Sequence, residues 1–397
     1  MSNSYRSKPD SDAVPENFQP APRVIVSGGG TGGHVFPAIS VANAVKKRWP
    51  GSEILFVGAV DRMEMERVPE AGYKIIGLPV SGFNRKNPLK NIPVALKLLK
   101  SMNRARRIIY DFKPDIAVGV GGYASGPILK AASGKGVPTL LQEQNSYAGV
   151  TNRILAKHAA TICVAYEGME RFFPEEKIVL TGNPCRQDLV TTEENREEGY
   201  KFFRLDPGKR TILMVGGSLG ARTLNQSIAG ALPELAEVDD LQVIWQCGKY
   251  YYKEMQILQA EGKIPPNVHL MDFISRMELA YSVADLVISR AGAGSVSEFS
   301  LLGKAVVLVP SPNVAEDHQT KNAKALVDKD AAVMVPDNKA TDLLFGVAIS
   351  LVRDDRQLKS LRDNILKLAQ HDSAERIVDE IEKIVFRDRL GHNKHSE

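Results

Sequence analysis

Short continuous apolar runs, each followed by a stretch with apolar residues at helical spacing, recur along the 397-residue chain. The first, Val24–Ser27, ends in Gly-Gly-Gly-Thr-Gly-Gly-His at positions 28–34, after which Ala38, Val41 and Val45 mark one helix face. Glu53–Gly58, Ile116–Gly119 and Pro138–Leu141 continue the alternation. Uninterrupted apolar strands separated by helices predict βαβ units around a parallel sheet buried on both faces. The pattern restarts at Arg210–Val215, which leads into Gly-Gly-Ser-Leu-Gly-Ala-Arg at 216–222. Gln242–Trp245, Val268–Met271, Leu286–Ser289, Val306–Val309 and the run around Val333 follow. The expected fold is α/β: two tandem Rossmann-like doubly wound domains, a linker near Gly182–Gln187, and an interdomain cleft.

Composition changes this picture little. Hydrophobic residues are 43% and charged residues 25%, which excludes a disordered, collagenous or coiled-coil chain. No run of about 18 apolar residues could span a bilayer. Residues 1–22 are polar, with Pro9, Pro15 and Pro20 and no apolar leader, and are expected to be a disordered tail. Cys163, Cys185 and Cys247 lack metal-ligand spacing and fit small buried hydrophobes in a reducing, cytosolic setting.

Charge adds one feature. The net +4 is too small to imply nucleic acid as a partner. Between Arg85 and Lys113, however, nine Lys and Arg face a single acid, Asp111. Leu89, Ile92, Leu96 and Leu99 recur there at helical spacing, with Phe83 just before them. A basic amphipathic helix of this kind reads as a contact with a membrane surface or polyanion. The same pattern also fits a core-facing helix with a solvated back.

Three segments carry candidate chemistry. The glycine-rich turn at 28–34 puts unhindered N–H groups at a helix N-terminus, where a diphosphate can approach and the dipole favours its charge. Dinucleotide-dependent oxidoreductases share such a turn, but this one carries His34, and a second glycine-rich turn heads the other half. Two anion sites facing one cleft suit a reaction between two phosphorylated substrates. The third segment, Ser289–Glu298, opens another helix, and Glu298 one turn inside could accept the hydroxyls of a ribose. It could equally serve as a helix-capping carboxylate.

GGGTGGHVFPA, VGVGGYASGP, QEQNSYAGVTNR, GNPCR, GGSLGAR, SRAGAGSVSE and EDHQTKNA occur in an order that resembles the MurG family. These GT-B fold enzymes are UDP-N-acetylglucosamine:lipid I N-acetylglucosaminyltransferases of bacterial peptidoglycan synthesis. The resemblance covers Arg23 to the C-terminus. It implies an acceptor- and membrane-facing domain at 23–185 and a UDP-GlcNAc-binding domain at 186–372. Residues 373–397 would form a helix packing back on the first domain, then a short tail.

By resemblance, Thr31, Gly32 and Gly33 belong to the loop shared by sugar nucleotide and acceptor, and Asn145 contacts the donor sugar. Arg186, Ser218 and the backbone of Ile274 line the nucleotide pocket. Ala293, Gly294, Ser295, Val296, Ser297 and Glu298 hold phosphates and ribose, and Gln319 holds the N-acetylglucosamine hydroxyls. Two positions depart from many relatives: Gln142 stands where His is found, and His318 precedes Gln319 where Gln is found.

The expected reaction is inverting transfer of N-acetylglucosamine from UDP-GlcNAc to the MurNAc C4 hydroxyl of lipid I, giving lipid II. It needs a base, charge stabilisation at the leaving diphosphate, and in-line geometry. His34 is the candidate base because imidazole titrates near neutrality, and Glu143 is its rival. Two D-x-D triplets, Asp10-Ser11-Asp12 and Asp328-Lys329-Asp330, are not expected to bind metal. No cofactor is required on this reading; a divalent cation could assist without a dedicated site. Expected partners are UDP-GlcNAc, lipid I, an anionic membrane surface through residues 83–113 and other cell-wall synthesis proteins. The expected location is peripheral, on the cytoplasmic face of the inner membrane.

Other classes stay open on the residues alone. A nicotinamide oxidoreductase would need an acid after the second strand, where Asp61 stands, but no hydride-handling constellation follows. A UDP-sugar epimerase or a glycolipid glycosyltransferase of the same fold is closer, and a non-enzymatic nucleotide-binding module would not need two phosphate loops.

Overall fold

The computed structural model describes residues 21–81, 92–185, 189, 191–217 and 219–386. The expected sites Arg186 and Ser218 lie outside the described residues, as do Phe83, Leu89, Asp10, Asp12 and the tail at 1–20.

The first lobe alternates β1 (Arg23–Ser27), α1 (Gly32–Arg48), β2 (Glu53–Ala59), α2 (Glu64–Glu70), β3 (Lys74–Leu78) and α3 (Ile92–Phe112). It continues with β4 (Ile116–Gly119), α4 (Ser125–Ser133), β5 (Thr139–Glu143), α5 (Val150–Leu155), β6 (Thr161–Val164) and β7 (Ile178–Leu180). The second lobe begins with α6 (Glu193–Phe203), β8 (Arg210–Val215), α7 (Arg222–Ala236), β9 (Leu241–Gln246), α8 (Tyr252–Ala260) and β10 (Val268–Met271). After these come α9 (Met277–Val283), β11 (Leu286–Ser289), α10 (Ala293–Leu302), β12 (Val306–Leu308), α11 (His318–Val327) and β13 (Val333–Met334). The chain closes with α12 (Ala340–Val352), α13 (Asp355–Leu366) and α14 (Ser373–Val385).

The sheet orders are β3-β2-β1-β4-β5-β6-β7 and β10-β9-β8-β11-β12-β13, and neighbouring strands run parallel. Each sheet is therefore doubly wound, with its switch point between β1 and β4 or between β8 and β11. Strands β3, β6 and β7 are additions to those the sequence pattern predicts.

Each sheet is buried on both faces. Val24, Val26 and Ile116 pack under Val41 and Val45 of α1, while Ile25, Ala117 and Leu141 face α3 and α4. In the second lobe, Ile212, Met214 and Trp245 lie against α7 and α12. Leu213, Ile244 and Val287 lie against α6, α9 and α10. The buried Trp245 indole N–H donates to Asn225 Oδ1 at 2.9 Å, so the largest core side chain leaves no polar atom unmade.

The chain crosses between lobes twice. After β7 it enters the second lobe, and at Asp372 (φ 55°) it turns so that α14 returns to the first. There Ile377, Val378 and Ile381 join the core under α1. Burying such side chains contributes about 1.5–3 kcal/mol each. Phe386 packs on Trp49 with ring centroids 5.9 Å apart, and Arg48 pairs with Asp379 at 2.7 Å.

Helix α3 is divided. Ala105, Ile108 and Ile109 are buried, whereas Leu96 and Leu99 are 58% and 63% exposed. Cys163 and Cys247 are buried free thiols, and burial pushes both pKa values up, that of Cys247 to about 11. Among the described residues, no helix is long and apolar enough to cross a membrane.

Candidate active site

The loops that flank the two switch points are the glycine-rich segments, so the topology brings them to the facing ends of the two sheets. In the first lobe, Gly28–His34 joins β1 to α1. Thr31 precedes the helix in extended conformation, with no side chain capping the first turn. Its carbonyl accepts from the N–H groups of His34 and Val35, each at 3.1 Å. Its hydroxyl lies 3.2 Å from His34 Nδ1. Gly32 and Gly33 open α1.

The His34 ring rests on Gly121, in the loop after β4. A Cβ there would lie 2.6 Å from His34 Cδ2, and φ is +94° at that residue, so only glycine leaves room. Burial, reinforced by His318 across the cleft, lowers the His34 pKa to about 4; Glu64 and the Gly29 backbone oppose that shift. His34 is therefore a neutral imidazole at pH 7.

Glu143, at the end of β5, is buried, and desolvation raises its pKa against its hydrogen bonds. Oε1 accepts from the N–H and Nδ2 of Asn145 at 3.1 and 3.2 Å. Oε2 accepts from the Gly149 N–H at 3.0 Å and Asn152 Nδ2 at 2.9 Å. Four donors fill the carboxylate's acceptor capacity, which favours a loop-organising role for Glu143 over that of base. Gln142, one of the two departures, is also buried, and its amide reaches the Gly182 carbonyl at 3.5 Å.

Asn145 meets the second lobe: its Oδ1 accepts from Asn322 Nδ2 at 3.2 Å. Asn322, fully buried on α11, also accepts from the N–H and hydroxyl of Ser146 at 3.0 and 3.2 Å. Lys321 places its ammonium 3.2 Å from the Tyr147 ring centroid. Gln319 accepts from the Ser311 N–H at 2.8 Å, which orients its amide at the loop after β12.

In the second lobe, α7 and α10 both begin without a side-chain cap, at Ala221 and Gly292. Neither has an acid in its first turn. Uncapped N–H groups at two helix N-termini are anion receptors. Ala293, Gly294, Ser295 and Val296 form the first turn of α10. The Ser297 hydroxyl is already used, donating to the Ala293 carbonyl at 3.0 Å. Glu298 Oε2 accepts from the Tyr281 hydroxyl at 3.2 Å, which holds the carboxylate at the helix flank. Ile274 buries its side chain in the lobe core, so its backbone is what it can offer a ligand. Asp337 joins the two loops, accepting from Thr223 at 3.1 Å and pairing with Arg290.

The structure thus brings His34, Asn145 and α11 together, and puts Glu298 with the α10 turn. Glu64, Asn322 and Asp337, which the sequence pattern did not single out, hydrogen-bond to these segments. Among the described residues no cluster of His, Cys, Asp and Glu is arranged to hold a metal.

Comparison with known proteins gives a consistent result. Residues 24–164 match the glycosyltransferase family 28 N-terminal domain, and 211–380 match its C-terminal domain. A protein of Parabacteroides distasonis is 63% identical over 91% of this chain and 98% of its own length. A protein of Bacteroides thetaiotaomicron is 59% identical over 91% and 97%. Both are named UDP-N-acetylglucosamine–N-acetylmuramyl-(pentapeptide) pyrophosphoryl-undecaprenol N-acetylglucosamine transferase. The crystal structure of Acinetobacter baumannii MurG superposes with a TM-score of 0.74 at 32% identity, covering 91% of this chain and 99% of that one. A UDP-N-acetylglucosamine 2-epimerase structure from Listeria monocytogenes, 14% identical with a TM-score of 0.64 and covering 94% and 97%, shares the fold alone.

Proposed function

The chain belongs to glycosyltransferase family 28, and we propose that it transfers N-acetylglucosamine from UDP-GlcNAc to the C4 hydroxyl of the MurNAc of undecaprenyl-pyrophosphoryl-MurNAc-pentapeptide, lipid I, giving lipid II. The observation that carries this reading is the 63% identity, over nearly the full length of both chains, with a protein named for that reaction.

The geometry supplies a chemical route. The acceptor oxygen attacks the anomeric carbon as the bond from that carbon to the diphosphate oxygen breaks, inverting the configuration. The acceptor's proton goes to His34, which is neutral at pH 7 and so free to accept it. In the tautomer that carries hydrogen on Nδ1, facing the Thr31 hydroxyl, Nε2 is the accepting atom. Negative charge growing on UDP meets the uncapped N-termini of α7 and α10, which are already oriented before the reaction starts. On this reading these dipoles do the work of a metal ion, and no cofactor is required. Glu298 receives the ribose hydroxyls, and Asn145 and Gln319 the donor sugar. Arg186 and Ser218 complete the nucleotide pocket.

The acceptor is lipid-linked, so the enzyme must work at a membrane surface. Exposed Leu96, Leu98 and Leu99, beside Lys97, Lys100, Arg104 and Arg107, support peripheral attachment through α3 to the cytoplasmic face of the inner membrane. Other cell-wall synthesis proteins are partners this location favours.

The test is an assay of the purified protein with UDP-GlcNAc, with and without lipid I, scored for lipid II. Acceptor-dependent release of UDP with formation of lipid II is the expected result. Conversion of UDP-GlcNAc to another sugar nucleotide without acceptor would overturn the reading in favour of an epimerase.

A further inference from the structure

Glu64 opens α2 in the segment Glu-Met-Glu-Arg-Val-Pro-Glu, which reads as a solvated helix, yet its side chain turns inward and is fully buried. Oε2 accepts from the Gly30 N–H and Oε1 from the Ala59 N–H, each at 2.9 Å. Only a carboxylate offers separate oxygens to two such donors. Two glycines make its space: a Cβ at Gly29 would lie 2.2 Å from Oε1, and one at Gly58 would lie 2.6 Å from Cγ. Among the described residues no Lys or Arg pairs with it. Burying a carboxyl group without a cationic partner is costly, so its retention calls for a role.

The backbone gives that role a path. Glu64 fixes Gly30; Gly30 leads into Thr31; Thr31 holds His34 through its carbonyl and through the 3.2 Å contact between hydroxyl and Nδ1. We propose that Glu64 is a positioning residue for sugar transfer, holding the Gly28–His34 loop so that the His34 imidazole meets the acceptor hydroxyl. The proposal rests on the reading of His34 as base. Among the described residues two charged or titratable groups act on that ring: Glu64 from α2, which favours its protonated form, and His318 from α11, which opposes it.

Glu64→Gln keeps the shape but turns an NH2 toward one of the two N–H donors and removes the charge. Its UDP affinity by calorimetry is expected to match wild type, while kcat falls by about tenfold or more, since a shift of about 1 Å can cost 100-fold. Titration of the His34 ring by NMR, in protein labelled with ¹³C-histidine and assigned with His34→Ala, should show its midpoint moved to lower pH. The acid limb of kcat/KM should move with it. A purely structural role would lower thermal stability and leave both midpoint and limb in place.

Glu64→Asp, which keeps the charge but loses reach, serves where the Gln variant does not fold. It should lose kcat while its His34 midpoint stays nearer wild type. A folded Gln or Asp variant with wild-type kcat, or an unmoved midpoint in the Gln variant, overturns the proposal. His34→Ala with full kcat refutes the base reading itself, whereas an unmoved midpoint beside an inactive His34→Ala refutes Glu64 alone.

Discussion

At the scale of single residues, the cleft selects protonation state through burial. With the His34 pKa lowered to about 4, the base form persists well below neutrality, so the acid limb of kcat/KM should fall near pH 4 and not near 6.5. His34→Ala should abolish most of kcat and leave UDP affinity intact, as a pH-rate series with calorimetry will show. The same shift sets a stability slope. Between pH 6.5 and 4 the unfolded chain binds a proton at His34 that the folded chain refuses, so stability falls as pH falls through that window and is full above it. His318 and His269, also lowered by burial, add to the slope. Urea melts at pH 5 and 7 should therefore differ less in His34→Ala than in wild type. Glu298→Ala should weaken UDP binding by about 1–3 kcal/mol if the ribose bonds are charge-assisted, and equal calorimetric affinities would remove Glu298 from the site. The sequence drew attention to His34 and Glu298 because each sits in or beside a run of small residues at the start of a helix. Glu64 drew none, because its two partners, Gly30 and Ala59, are joined to it only by the fold.

At the scale of elements, α3 shows how one helix serves two surroundings. Its C-terminal half is held by Ala105, Ile108 and Ile109, while its N-terminal half leaves Leu96, Leu98 and Leu99 without a core to enter. Each Lys or Arg near an anionic leaflet is worth roughly 1 kcal/mol and acts within a Debye length. Replacing Lys97, Lys100, Arg104 and Arg107 with Gln should reduce flotation with anionic vesicles and activity on bilayer-embedded acceptor. Activity on a short-chain, water-soluble acceptor should survive, because among the described residues no ion pair joins any of the four to the loops of the site. Undiminished flotation would move the docking surface elsewhere. The basic, apolar character of this helix was plain in the sequence; which leucines the core would take was not. The strands obey the same logic. The central strands β1, β4, β8 and β11 are continuous apolar runs because both faces are covered. By contrast, β3 begins with Lys74 and contains Gly77, and β7 has three half-buried residues at the sheet edge, too few to make a pattern. Nor does the pattern of α14 say which lobe it covers, since Ile377, Val378 and Ile381 would fit either sheet.

At the scale of the whole molecule, the described residues join the two lobes through few polar contacts and leave some polar atoms unpaired. Asn322 makes the central tie, with Asn145, Ser146 and the Ala291 carbonyl as partners, and Lys329 reaches Glu167 at 3.2 Å farther out. Its role was hidden in the sequence because Ser146 is 176 residues away. Behind the tie lies a cavity of about 460 Å³ lined from both lobes, by Tyr166 and Asn183 on one side and Ser297 and Ser300 on the other. Among the described residues, the Tyr166 hydroxyl and both amide atoms of Asn183 are buried there without a partner. Each such group costs about 1–3 kcal/mol, and separating the lobes would hydrate it. A ligand bound to both lobes shifts their closure by as much as it prefers the closed form. Asn322→Ala removes the tie and leaves the penalty, so its radius of gyration by small-angle X-ray scattering should exceed that of wild type, and UDP-GlcNAc should bind more weakly. Tyr166→Phe removes part of the penalty and leaves the tie, so it should bind UDP-GlcNAc more tightly and scatter as the more compact form. Scattering curves unchanged in both variants would mean that the seam does not set the angle between the lobes.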